Sequence, residues 1–118
     1  MGEGDVLLAS LPQADGGLKN RPALFLRDLP PFGDVLLCGI STQIARAVPD
    51  FDEVILRGDS DFPGTGLVAD SVIRLGFLAV LPRTRILGSI GSVSAERHVR
   101  LLKRLAGYLI GHIVPSGE

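Results

Sequence analysis

Cysteine, histidine and tryptophan are almost missing from this chain, and each shortage removes a class of chemistry. The single cysteine, Cys38, has no partner for an internal disulfide. It sits in Val35-Leu36-Leu37-Cys38-Gly39-Ile40 and reads as a small buried hydrophobe, with no histidine nearby in sequence to make it a nucleophile. Cys38, His98 and His112 have no zinc-type spacing, so neither a metal nor a cofactor is expected. His98, among charges, reads as solvated, and His112 as a partly cationic ring near a helix C-terminus. There is no Walker-type loop and no Gly-x-Gly-x-x-Gly behind a strand. No apolar run approaches the ~20 residues of a membrane span. No basic segment followed by an apolar core opens the chain, so a cytoplasmic protein is expected.

What is present is apolar, Gly- and Pro-punctuated, and strand-like. With 118 residues of which 46% are hydrophobic, the chain is expected to fold as one domain over 1–118, with a flexible tail at 115–118. Short β-rich runs are expected at Asp5–Ser10, Ala23–Asp28, Val35–Ser41, Glu53–Arg57, Ser71–Leu75, Leu78–Leu81 and Arg85–Ile90. Gly76 stands between two of them as a bulge candidate. The Pro30-Pro31-Phe32-Gly33 stretch predicts a turn. Helical spacing comes only at the end, after Ser94 as N-cap, with Val99, Leu102, Ala106, Leu109 and Ile113 on one stripe and Leu101, Leu105 and Tyr108 beside it. Many short strands and one terminal helix predict a mainly β fold, a small bent antiparallel barrel with a C-terminal helix.

The net charge of −1 hides an uneven distribution. Asp50, Asp52, Glu53, Asp59 and Asp61 crowd the middle, opposed only by Arg57. Arg83, Arg85, Arg97, Arg100, Lys103 and Arg104 follow, against Glu96 alone. The helical members of this set read as a solvated face. Phe32, Phe51 and Phe62 fall in loops and read as core or turn packing rather than base-stacking residues.

Arg21 has a different setting. It precedes Pro22, whose fixed φ and missing donor suit a strand's first residue or an edge. Arg21 therefore stands at a strand mouth, either as an ordinary surface charge or as half of a phosphate-handling site. Arg74 also flanks a strand, and Ser41-Thr42 ends the buried one with hydroxyls.

Gly4-Asp5-Val6-Leu7-Leu8, Lys19-Asn20-Arg21-Pro22-Ala23-Leu24, Leu36-Leu37-Cys38-Gly39-Ile40-Ser41, Gly66-Leu67, Asp70-Ser71-Val72-Ile73-Arg74-Leu75 and Ile90-Gly91-Ser92-Val93-Ser94-Ala95-Glu96 occur in that order. Together they resemble the MazF/PemK (Kid) family of toxins from type II toxin–antitoxin systems. The resemblance implies an SH3-like barrel, a homodimer, metal-independent cleavage of single-stranded RNA, and a cognate antitoxin whose disordered tail lies across the RNA groove. It implies attack of the ribose 2′-OH on the adjacent phosphate. Arg21, Ser41 and Arg74 match its catalytic positions, with Thr42 in reserve should the register slip by one. Lys19, Asn20, Thr42 and Asp15 are the expected substrate-binding residues. The PemK branch carries a His in the first loop and an Asp two residues after the second arginine. Here the loop reads Gln13-Ala14-Asp15-Gly16-Gly17-Leu18, and Gly76 replaces the Asp. Arginine is a poor base, being always protonated; Asp15 could supply a carboxylate or simply form the turn. Two alternatives to a nuclease are a CcdB-like gyrase-binding toxin on the same fold and an inactive toxin-derived binding module.

Overall fold

The structure, a computed structural model, describes residues 1–111; the expectations for His112, Ile113 and the 115–118 tail lie outside the described residues. Six strands form one antiparallel sheet: β1 (Asp5–Pro12), β2 (Leu18–Leu29), β3 (Asp34–Ser41), β4 (Glu53–Ile55), β5 (Ser71–Leu81) and β6 (Ile86–Ser92). One helix, α1 (Ala95–Ile110), follows. In space the strands run β4-β5-β3-β2-β1-β6. No helix is long and apolar enough to cross a membrane, among the described residues.

Alternation along the strands builds two cores. Val6, Leu24, Leu26, Ile40, Ile73 and Leu75 join Leu101 and Leu105 of α1 in one. Leu7, Ala9, Leu11, Ala23, Phe25 and Leu37 form the other. The period of two sends neighbouring residues of one strand to opposite sides, and β3 is buried on both, as its unbroken apolar run predicts.

The mainly β architecture with a C-terminal helix is as expected, but the sheet is not closed by a ladder, since β4 and β6 end the strand order without pairing. Instead the 3₁₀ turn Phe62–Thr65 packs against β6. A methyl group on Gly91 would overlap the backbone of Gly64 and Thr65, and one on Gly66 (φ 76°) would overlap Ile90. Glycine at both positions lets two backbones touch along this seam.

Two further features of the sheet bear on function. β2 begins at Leu18, so Pro22 lies inside the strand rather than at its start. The proline is tolerated because β3 pairs with β2 only from Ala23 onward; residues 18–22 have β1 alone beside them. β5 is one strand with an irregularity at Gly76: Cys38 faces Leu78, whereas its neighbour Gly39 faces Arg74. The bulge reverses the inside–outside parity of β5 from that point.

The helix is rotated away from the expected stripe. Leu101 and Leu105 are buried, whereas Val99 is 46% and Leu109 67% exposed. Arg97, expected on a solvated face, is only 7% exposed and sets this rotation. Its guanidinium bonds Glu53 at 2.7 Å, Asp61 at 2.8 Å and Asp59 at 3.1 Å. Arg97, Leu101 and Leu105 recur every four residues and therefore share one face. Arg100 and Arg104 add ion pairs to Glu53. The acidic middle and the basic helix are thus two halves of one contact. Ser94 caps α1 as expected, accepting from the Arg97 amide at 3.1 Å. His98 is not solvated among charges: its Nε2 lies 2.8 Å from the Leu26 carbonyl, to which it donates. Phe51 and Phe62 pack on the first core, but Phe32 is exposed.

Replacing Arg97 by Ala leaves Asp61 buried without its cation, while Glu53 keeps Arg100 and Arg104, and should cost about 3 kcal/mol, read by denaturant titration. The hydrogen bond from Arg97 holds the Asp61 carboxyl down at about 2. A carboxylate lowered in the folded state stabilises fully above its unfolded value, about 4. That contribution is lost as pH falls from there through about 2. Denaturation midpoints should therefore drop steeply below pH 4, and less steeply in Arg97→Ala.

Candidate functional site

The pairing pattern leaves a notch where β3 ends and the β2 overhang continues alone with β1. A cavity of about 280 Å³ fills it. Its walls include Gln13, Arg21, Gly39, Ser41, Gln43, Arg46, Arg74 and Phe77. The three residues expected to be catalytic, Arg21, Ser41 and Arg74, are therefore brought together from β2, β3 and β5.

Register explains the convergence. Arg21 pairs with Ala9 and keeps the parity of Ala23 and Phe25, so it lies at the open end of the second core. Gly39 and Ser41 keep the parity of Leu37 on β3. Arg74 faces Gly39 across the ladder. Phe77 reaches the same side only because the Gly76 bulge shifts parity between them. It lies over Gly39, where an added Cβ would stand 3.2 Å from its ring.

The electrostatics are one-sided. Arg21, Arg46 and Arg74 line the cavity, and among the described residues no Asp or Glu does. None of the three has a carboxylate within 4.0 Å among the described residues, whereas Arg27, Arg83, Arg97, Arg100 and Arg104 are all ion-paired. Arg74 Nε is buried with no hydrogen-bond partner among the described residues. A buried donor left unmade costs free energy, so this atom calls for an acceptor from outside the chain. Arg21 Nε donates to Gln13 Oε1 at 2.9 Å. Ser41 Oγ accepts from the Gln43 amide at 3.1 Å and retains its own proton to donate. Such a cavity suits an anion with several acceptor oxygens, above all a phosphate.

The remaining expected residues lie outside these walls. Lys19 and Asn20 are exposed on β2, opposite Leu11 and Ser10. Thr42 is exposed beyond the end of β3, so Ser41 is the hydroxyl at the cavity. Asp15 supplies no carboxylate to the cavity; its Oδ1 accepts from the Gly17 amide at 2.8 Å and forms the turn. Position 76 faces the first core, where an added Cβ would meet Phe51 at 3.6 Å. Burial pushes the Cys38 thiol up to about 12, which leaves it inert. Among the described residues no group of three or more His, Cys, Asp or Glu is arranged to hold a metal ion. Gln13, Gln43, Arg46 and Phe77 escaped the sequence reading. The two glutamines flank segments it had marked, but the placement of Phe77 depends on the bulge.

A wider depression of about 540 Å³ lies on α1, lined by Ala95, Glu96, Val99, Arg100 and Lys103. It carries mixed charge and no buried unpartnered donor, so the smaller cavity is the better site.

The fold has solved counterparts. The Mycobacterium tuberculosis toxin MazF-mt6 superposes with a TM-score of 0.64 at 23% identity, covering 88% of this chain and 93% of that one. An endoribonuclease from a mycobacterial species, solved in complex with its cognate antitoxin, gives 0.67 at 16% identity over 98% and 99%. A MazE–MazF structure from Deinococcus radiodurans gives 0.58 at 21% over 94% and 95%. Comparison with curated protein sequences gave no match. Residues 3–109 match the family of PemK-like, MazF-like toxins of type II toxin–antitoxin systems, and the chain belongs to that family.

Proposed function

We propose that this toxin is an endoribonuclease that cuts single-stranded RNA through attack of a ribose 2′-OH on the adjacent phosphate. The observation that carries the reading is the acid-free arginine cavity, in which Arg74 holds a buried, unused donor. In the proposed step the O2′–P bond forms and the P–O5′ bond breaks, leaving a 2′,3′-cyclic phosphate and a 5′-hydroxyl. Negative charge on the non-bridging oxygens grows towards the transition state, so the Arg21 and Arg74 guanidinium groups bind that state more tightly than the ground state. Ser41 donates its hydroxyl proton to a phosphate oxygen. Among the described residues no imidazole or carboxylate lines the cavity, so the 2′-OH proton leaves to solvent and O5′ takes one from solvent. DNA, lacking the 2′-OH, is spared.

Relatives solved with antitoxins support a cognate antitoxin as the physiological inhibitor here. The exposed apolar residues Val99, Tyr108, Leu109 and Ile110 on α1 support a homodimer. The missing base favours one second reading, an inactive module that binds RNA without cutting it. Incubating the protein with single-stranded RNA separates the two. Fragments ending in cyclic phosphate support the enzyme; intact RNA under saturated binding refutes it.

Arg21→Ala should slow cleavage about 100- to 1,000-fold, the usual loss for one oxyanion donor, with an unchanged melting temperature. Arg74→Met removes a buried donor that has no partner among the described residues. It should leave the melting temperature equal or higher while weakening RNA binding, measured by calorimetry and fluorescence anisotropy.

A further inference from the structure

Arg21 is held differently from the arginines that are fixed by ion pairs. Arg83, Arg97 and Arg100 are fixed by carboxylates, which cancel the charge they orient. Arg21 is fixed by the neutral amide of Gln13. That amide is itself anchored: Gln13 Nε2 donates to the Leu11 carbonyl at 3.2 Å and to the Pro12 carbonyl at 3.1 Å. Its orientation is dictated by chemistry. Flipping it would set the NH₂ against the Arg21 Nε–H and the oxygen against two carbonyls. The Gln13 backbone is fixed as well, donating to the Gly17 carbonyl at 2.8 Å and accepting from the Gly16 amide at 3.0 Å.

We infer that Gln13 is a positioning residue for Arg21: it occupies Nε, turns the two Nη groups towards the cavity, and leaves the full positive charge available to the scissile phosphate. This rests on the nuclease reading above. It assigns complementary edges to the two arginines. Arg74 keeps its Nε free for a side-on grip, whereas Arg21 has spent its Nε on Gln13 and meets the phosphate end-on. A carboxylate at position 13 would still accept from Arg21, but it would offset the arginine's charge and have no donor for the Leu11 and Pro12 carbonyls. A shorter or apolar side chain would leave it charged but free to swing. Only a neutral acceptor of glutamine's length meets both needs.

The test combines cleavage with a spectroscopic readout of the bond itself. In wild type, the Arg21 Nε–H should give a protected ¹⁵N–¹H resonance, identified by its loss in Arg21→Lys. Gln13→Ala should abolish that resonance, keep the melting temperature, and slow single-turnover cleavage on the order of 100-fold, as expected for a misplaced reacting group, with RNA affinity little changed. Gln13→Glu should keep the resonance and yet lose RNA affinity, because the carboxylate cancels the charge. Cleavage by Gln13→Ala at the wild-type rate, or a resonance that survives in it, overturns the positioning role while the nuclease reading stands. Gln13→Glu with wild-type affinity overturns the argument for a neutral partner. RNA left intact by the wild-type protein overturns the nuclease reading, and this inference with it.

Discussion

One guanidinium ties the molecule together. Arg97 reaches from the first turn of α1 to Glu53 on β4 and to Asp59 and Asp61 in the following loop. Its burial fixes the rotation of the helix, and that rotation decides which leucines enter the first core. The Asp61 carboxylate also accepts from the Ser94 amide, so the helix entrance and the loop share an anchor. That loop leads into the turn that seals the sheet against β6. A polar contact whose centre, Arg97 with Glu53 and Asp61, is shielded from water thus holds helix, edge strand and seam in register. Such a contact is most sensitive to the loss of Arg97, because Asp61 would stay buried without compensation.

The site obeys a different logic. Where Arg97 is surrounded by acids, Arg21, Arg46 and Arg74 have none. The two regions use the same residue type for opposite purposes: one neutralised to bind parts of the chain together, the other left charged to bind something the chain does not contain. Stability and function occupy separate sides of the sheet. The cavity opens at the end of the second core, whereas the ion-pair cluster borders the first.

Much of this was legible in the sequence. The period-two runs marked the strands, Ser94 marked the helix start, and Gly76 marked a bulge. The order of Arg21, Ser41 and Arg74 marked the residues the cavity gathers. What stayed hidden was long-range pairing. The bases at 97–104 read as a solvated face because neither they nor the acids at 50–61 name the other segment as partner. The start of β2 was missed because a proline marks a strand's first residue or an edge alike, and only the length of β3 shows that the strand has one neighbour there. Phe77 was missed because parity after a bulge cannot be counted from residue types. Gln13 was passed over because an isolated glutamine carries no charge pattern and no motif, and its meaning lies in the atom it faces.

The glycine seam has a consequence for how the protein behaves among other copies of itself. An open six-stranded sheet has two edges, and an exposed edge is a template for another chain to add a strand. Here β4 offers only Glu53–Ile55, too short to recruit one firmly. The turn at 62–66 lies against Ile90–Ser92 of β6, so close at Gly66 and Gly91 that a Cβ at either would overlap backbone. A larger residue at Gly66 or Gly91 would pry the turn from the strand and uncover this end of an edge strand, where another chain could add.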